Sequence, residues 1–230
     1  FQLDDIITFK PDIAIITNIE FDHPDLFTQA SYDEAFARFA SQIVPGGALI
    51  ARGDDPGVAR ILPGLAVSPV KVITFGEDAT CDWRVSHQDN GWYVTPRDGR
   101  SIGLDLQVPG KHNVMNATAA LAALTQLGFD PIEGAAALAT FGGVGRRFEF
   151  AGEAAGVTVI DDYAHHPTEI SATLQAARDR FPDRRIWAIF QPHTYSRTKA
   201  LLEAFATALA VADEIVLLNI YAAREIDDGV

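Results

Sequence analysis

Late in the chain, three apolar runs rich in β-branched residues are separated by stretches of helical length. They are Val157-Thr158-Val159-Ile160, Ile186-Trp187-Ala188-Ile189-Phe190 and the segment from Glu214 to Ile220, with helices expected over residues 168–181 and 197–211. Strand, helix and strand in succession predict a parallel sheet with right-handed crossovers. The first two runs end abruptly in ionisable clusters, Asp161-Asp162-Tyr163-Ala164-His165-His166-Pro167-Thr168-Glu169 and Gln191-Pro192-His193-Thr194-Tyr195-Ser196-Arg197-Thr198. In an open α/β sheet, ligands sit beyond the carboxyl ends of the strands. The two tips therefore set carboxylates, imidazoles and a guanidinium along one rim, where a ligand is expected.

The first half of the chain also alternates. Residues 1–9 read as a short helix end that Lys10-Pro11 stops, because proline cannot continue a helix interior. A strand is predicted over 13–19. A helix over 32–44 carries Phe36, Phe39, Ala40 and Ile43 at helical spacing, and Pro45-Gly46-Gly47 ends it. Further strands are predicted at 48–51 and 70–75, with a helix starting at Asp54-Asp55-Pro56. From Cys81 to Val108 the period changes to alternation, with turns at Asp89-Asn90-Gly91 and Arg97-Asp98-Gly99, so antiparallel hairpins are expected. Helices over 114–127, closed by Gly128, and 131–140 follow, and the glycine-rich stretch 141–147 marks a domain boundary and a hinge. The fold class is α/β, with one domain over residues 1–147 and a second over 148–230.

The bulk properties narrow the function. A length of 230 residues with 48% hydrophobic and 21% charged residues is that of an ordinary globular protein. A net charge of −13 argues against a broad nucleic-acid surface, which needs a basic field. Arg146, Arg147 and Arg197 can still hold a phosphate locally. No apolar run approaches the roughly 20 residues of a membrane span, and no signal peptide is read at the start. The single Cys81 can form neither an internal disulfide nor a zinc constellation, which fits a reducing cytoplasm.

Four constellations carry candidate chemistry, each with a plainer explanation beside it. Thr17-Asn18-Ile19-Glu20-Phe21-Asp22-His23 at a strand tip can coordinate a hard cation, or it is a capped turn to which Asp22 and Asp25 are suited. Gly110-Lys111-His112-Asn113-Val114-Met115-Asn116 offers asparagines whose amides match a purine edge, or it is a helix N-cap. Gly142 to Glu149 joins a flexible backbone to two guanidiniums suited to bidentate phosphate recognition, or it is a solvated hinge. The Asp161–Glu169 cluster could instead form a metal-dependent hydrolase site from Asp162, His165, His166 and His193, since zinc favours such ligands.

Taken together and in this order, these motifs resemble the Mur ligases of peptidoglycan synthesis. The most specific tokens are His165-His166-Pro167-Thr168-Glu169 and Gln191-Pro192-His193, and the likeness spans nearly the whole chain. It implies a central ATPase-type α/β domain with an antiparallel hairpin insertion, followed by a truncated Rossmann-like parallel-sheet domain. It also implies a cytoplasmic enzyme that uses ATP and Mg²⁺ to join a carboxylate to an amine through an acyl phosphate. The nearest likeness within the family is to members that join L-alanine to UDP-N-acetylmuramate; the alternative is a recycling ligase that attaches a preformed peptide to the same sugar nucleotide. Carried over residue by residue, His23 with Asn18 would serve Mg²⁺, and Asn113 and Asn116 would contact adenine. Arg147 and Asp162 would hold the nucleotide, and His165, Arg197 and His193 would face the incoming amino acid.

Departures from the family pattern set a further expectation. The phosphate loop ending Gly-Lys-Thr, the acidic metal-ligand segment and the N-terminal sugar-nucleotide domain would all lie upstream of Phe1, and the last domain would stop after three strands. Gly110-Lys111-His112 lacks the glycine run and the Ser/Thr that cradle phosphates. Thr194 stands where some relatives place an arginine. The chain is therefore expected to be an internal fragment without ligase activity by itself.

Overall fold

The structure, a computed structural model, describes residues 2–226 apart from 4, 24–25, 66–68, 89–90 and 224. Asp25, the Asp89-Asn90 part of the first hairpin turn and the last residues of the chain lie outside the described residues. Contacts divide the chain into two compact units, one of residues 1–106 and 113–141 and the other of residues 107–112 and 142–230.

The first unit is built on a six-stranded sheet in the order β1 (Ile13–Ile16), β2 (Ala48–Arg52), β3 (Lys71–Gly76), β4 (Trp83–Gln88), β5 (Gly91–Pro96) and β6 (Ile102–Leu104). The first four strands pair parallel, although β3 and β4 meet at two positions only, Phe75 with Trp83 and Gly76 with Arg84. From there β4, β5 and β6 form the expected antiparallel meander. Successive side chains of a strand point to opposite faces, and β2 shows the consequence. Ala48 and Ile50 enter one apolar cluster while Leu49 and Ala51 enter another. A strand buried on both faces reads as a continuous apolar run, as Ala48-Leu49-Ile50-Ala51 does.

Helices α1 (Gln29–Ser41) and α2 (Pro56–Leu65) supply Ala40, Ile43, Val58 and Ile61 to the second cluster, the residue Ile43 lying just past the end of α1. Helices α3 (Lys111–Gln126) and α4 (Pro131–Leu138) supply Val114, Leu121 and Ala135 to the first. The unit is thus a helix–sheet–helix sandwich with its parallel strands inside. Phe75, Leu49 and Ile50 are fully buried in it, each contributing roughly 1.5–3 kcal/mol relative to exposure. Thr28 starts α1 with a reciprocal cap to Ser31, and Asp130 caps α4 ahead of Pro131.

In the second unit, β7 (Glu149–Ala154) and β8 (Val157–Asp161) form an antiparallel pair, and β9 (Trp187–Phe190) and β10 (Glu214–Leu217) form a parallel one. Helix α5 (Pro167–Arg180) packs on α7 (Leu202–Leu209), and α6 (Tyr195–Ala200) precedes it. Ile170, Leu174, Ala188, Phe190, Phe205 and Leu209 make the core, with the Phe190 and Phe205 rings 5.4 Å apart. On the strands, Val157, Val159, Trp187 and Ile189 are exposed.

Several expectations are corrected. Residues 2–3 and 5–9 show turns and bends where a helix end was expected, and the first strand stops at Ile16 because Thr17 to His23 leaves the sheet to form a tip. Strand β7 was not anticipated, and β8 takes it as an antiparallel neighbour, so the three late strands are not one continuous parallel ladder. The helix expected over 197–211 is two helices broken at Leu201, whose backbone leaves helical values at φ −116° and ψ 18°.

Candidate functional site

In the first unit the candidate residues sit where β1 ends. The backbone amide of Ile19 donates to Asp55 Oδ1 at 3.1 Å, and the same oxygen accepts from Val58 N at 2.8 Å. Asp55 therefore caps α2 and tethers the strand tip at once. Gly57 makes the approach possible, since a Cβ there would lie 1.9 Å from the Ile19 carbonyl oxygen. Beyond the tether, Thr17 donates to Asn18 Oδ1 at 3.3 Å. His23 takes a left-handed φ of 58°, its amide donates to Asp22 Oδ1 at 2.8 Å, and its Nε2 lies 3.6 Å from Asp22 Oδ2. The phenol of Tyr32, packed edge-on against Phe21 and Phe27, is raised above its ordinary pKa by burial first and then by the charges of Asp22, Glu20 and Asp33. The tip is thus negative and rich in oxygen, as a hard cation requires. No group of three or more His, Cys, Asp or Glu poised for a metal exists among the described residues. Mg²⁺ keeps several waters and is held by one or two carboxylates together with substrate phosphates, and the carboxylates of this tip are Glu20 and Asp22, beside Asn18 and His23.

Asn113 and Asn116 stand one turn apart on α3, on the same side of the helix. Asn113 is half-buried and Asn116 exposed.

In the second unit the sequence brings a dense cluster together after β8. Asp162 accepts from Phe148 N through one carboxylate oxygen at 2.8 Å and from Ala164 N through the other at 2.7 Å. It thereby fastens the loop that carries Arg146 and Arg147 to the strand tip, helped by Tyr163 N donating to Arg146 O at 2.8 Å. The Arg146 and Arg147 guanidinium carbons lie 4.7 and 5.8 Å from the Tyr163 ring centre, and the His165 ring meets the same tyrosine edge-on at 5.2 Å. His165 Nδ1 is 3.0 Å from Tyr163 O and 3.3 Å from Glu169 Oε2. A cavity of about 740 Å³ opens between β8 and β9 and is lined by Asp162, Tyr163, His165 and Gln191.

After β9, His193 bridges to Tyr221 and its Nδ1 lies 3.3 Å from Arg197 Nη1. Arg197 is only 5% exposed. Between them Thr194 is held at φ 66° and ψ 143°, a region close to one that is almost glycine-only. The turn is pinned on both sides. Thr194 N donates to Tyr221 O at 2.9 Å, and Ser196 donates through its amide and its hydroxyl to the Glu225 carboxylate.

The hydrolase alternative is overturned by this geometry. Asp162, His165, His166 and His193 form no metal-binding group. His166 instead caps α5, its Nδ1 accepting from Thr168 N, and both Asp162 oxygens serve backbone amides. The sequence placed Tyr163 and Glu169 in the strand-tip cluster and Asp55 at a helix start but gave none of them, nor Glu225, a site role, yet each holds a candidate residue or its loop in place. For Glu169 a signal existed, because His166 to Glu169 has the spacing of a capping box.

His112 gives this cluster a pH dependence. Burial holds its imidazole below the ordinary value, the Asp162 carboxylate pulls it up and the Arg147 guanidinium pushes it down again. A depressed folded-state pKa means stability that is fully present above the unfolded value of about 6.5 and lost as the pH falls through the folded one. Thermal unfolding between about pH 7 and pH 5 should show a falling midpoint that His112→Asn makes shallower; an equal slope in both proteins would refute it.

Comparison with known proteins matches residues 2–124 to the Mur ligase middle domain and residues 146–229 to the Mur ligase, glutamate ligase domain. The chain belongs to the Mur ligase family. This Mur ligase chain is 46% identical to the UDP-N-acetylmuramate–L-alanine ligase of Frankia casuarinae, over 95% of the chain and 50% of that protein. The ligase of the same name from Kineococcus radiotolerans is also 46% identical, over 96% of the chain and 48% of its own length. The crystal structure of the UDP-N-acetylmuramate-alanine ligase from Thermotoga maritima superposes with a TM-score of 0.71 at 32% identity, covering 93% of this chain and 47% of that one. A murein peptide ligase from Psychrobacter arcticus, at 24% identity and a TM-score of 0.61, shares the fold. The chain spans about half the length of the curated relatives it matches. No helix among the described residues is long and apolar enough to cross a membrane.

Proposed function

We propose that this chain supplies the nucleotide- and amino-acid-facing half of a cytoplasmic ligase that joins L-alanine to UDP-N-acetylmuramate. In this reading residues 1–147 are part of the central ATP-binding domain and residues 148–230 the first half of the C-terminal domain. The observation that carries it is the strand-tip cluster in which Asp162 fastens the loop of Arg146 and Arg147 beside His165. A cluster of that kind can hold a phosphorylated ligand and a carboxylate at once.

The chemistry follows from what such groups do. The muramate carboxylate attacks the γ-phosphorus of ATP and ADP leaves. The alanine amine, having lost a proton, then adds to the acyl carbon, and the tetrahedral intermediate expels phosphate. Both steps depend on holding reactants close and on placing positive charge around the phosphoryl group. Asn113 and Asn116 would read adenine, Arg147 would reach the phosphates and Asp162 would hold the loop that aims it. Arg197, with His193 against it and His165 on the neighbouring tip, would pair with the carboxylate of L-alanine. Asn18 and His23 would hold Mg²⁺, which when bound neutralises phosphate charge.

The test is a chimaera in which this chain replaces the matching half of the Frankia casuarinae ligase. ADP release that requires both UDP-N-acetylmuramate and L-alanine is the expected result. Release with a tripeptide but not with L-alanine would instead assign the chain to a recycling ligase. Failure with both amines, alongside an active parental enzyme and a folded chimaera, would overturn the ligase reading.

A further inference from the structure

We infer that Glu169 is a positioning residue that fixes Arg147 and His165 relative to each other. The inference takes from the ligase reading only what the two cationic side chains face; how they are held comes from geometry. One Glu169 oxygen accepts from His165 N at 3.0 Å and from His166 N at 3.2 Å, and lies 3.3 Å from His165 Nδ1. The other oxygen lies 3.8 Å from Arg147 Nη1. A single carboxylate therefore lies within ion-pair distance of a side chain assigned to the nucleotide and of one assigned to the amino acid. Tyr163 joins the same two a second time, with Arg147 over its ring and His165 against its edge.

The capping role and the positioning role of Glu169 are separable. As the third residue of α5 it closes a capping box, and glutamine does that equally well because only a carbonyl-type acceptor is needed. Its negative charge is surplus to the cap. The charge acts on the guanidinium and the imidazole, which a neutral amide would hold far less firmly. Both partners are about one-third to one-half exposed, and ion pairs so exposed add little stability. Orientation is then the property that the charge controls, exerted on both side chains by one carboxylate that the His165 and His166 amides hold in place.

Glu169→Gln and Glu169→Ala, made in the 230-residue chain, separate the two roles without requiring catalysis. Thermal unfolding reports the cap. Phenylglyoxal labelling of Arg147 and diethyl pyrocarbonate labelling of His165, mapped by mass spectrometry, report whether each side chain is held. Glu169→Gln is expected to keep the unfolding midpoint within about 2 °C while both labelling rates rise roughly fivefold. Arg60 and His87, which lie in the other unit, should label as before. Glu169→Ala should show the same rise together with a lower midpoint. Unchanged labelling in Glu169→Gln would reduce Glu169 to a helix cap and overturn the inference. An inactive chimaera would count against the ligase reading alone, because the labelling rates still decide how Arg147 and His165 are held.

Discussion

Gly57→Val is expected to destabilise the first unit by roughly 3 kcal/mol or more, at or beyond the upper end of ordinary overpacking. The first added carbon would sit 1.9 Å from the Ile19 carbonyl oxygen and 2.7 Å from Ile19 Cβ. Backbone cannot yield as a flexible side chain can, so α2 must lift away from the end of β1. Lifting it breaks the bond that Asp55 Oδ1 accepts from Ile19 N, while the cap from Val58 N moves with the helix. The tip carrying Asn18 and His23 is then released as well. Denaturant unfolding followed by tryptophan fluorescence checks the stability. Wild-type behaviour in Gly57→Val would mean that α2 does not approach β1 so closely. Gly64, on the same helix with open space around it, is the control, and Gly64→Ala should be neutral or mildly stabilising.

Asp162→Ala is expected to open the loop of residues 144–149 with little effect on the first unit. Two backbone amides, Phe148 N and Ala164 N, lose a charged acceptor together. A hydrogen bond to a charged group contributes roughly 1.5–3 kcal/mol, so amide exchange at these positions should rise about tenfold to a hundredfold. Asp162→Asn retains one acceptor oxygen and should fall between. In the chimaeric ligase the loss of turnover should be at least as large, because Arg147 rides on the loop that Asp162 fastens. If exchange at Phe148 and Ala164 were unchanged in Asp162→Ala, the carboxylate would not be what orders this loop.

Much of the architecture could be read from local pattern. Strand β2 announces itself as a continuous apolar run because both of its faces are buried, and the change to alternation after Cys81 marks the meander, which has one face toward the core. Strand β7 was hidden for the opposite reason. Glu149-Phe150-Ala151-Gly152-Glu153-Ala154 is exposed along nearly its whole length, so it carries no burial signal. Its turn is Ala155-Gly156, with both residues at positive φ, rather than the Asn-Gly or Asp-Gly pair by which such hairpins are usually recognised. The break at Leu201 was equally silent, since Lys199-Ala200-Leu201-Leu202 are all good helix formers.

The candidate site divides along the same line. The residues proposed to meet a ligand were visible as clusters, because side chains that titrate or coordinate stand out at the ends of apolar runs. The residues that hold them were not. Asp55 reaches Ile19 across 36 positions of sequence, and Glu225 reaches Ser196 across 29. Nothing local in either segment records such a tether. Glu169 is intermediate, since its capping role is written at short range and its contact with Arg147 is not.

Thr194 inverts the usual arithmetic of inheritance. At most sites a mutation to glycine loosens the chain, and selection removes it for that reason alone. At φ 66° and ψ 143° a threonine is the strained choice and glycine the relaxed one. Drift toward glycine at this codon would meet no conformational penalty, and toward any other β-branched residue it would gain nothing. The Thr194 side chain makes no capping bond to α6 that would offset this strain, so a comparison of related sequences at this position would show whether the strain itself is kept.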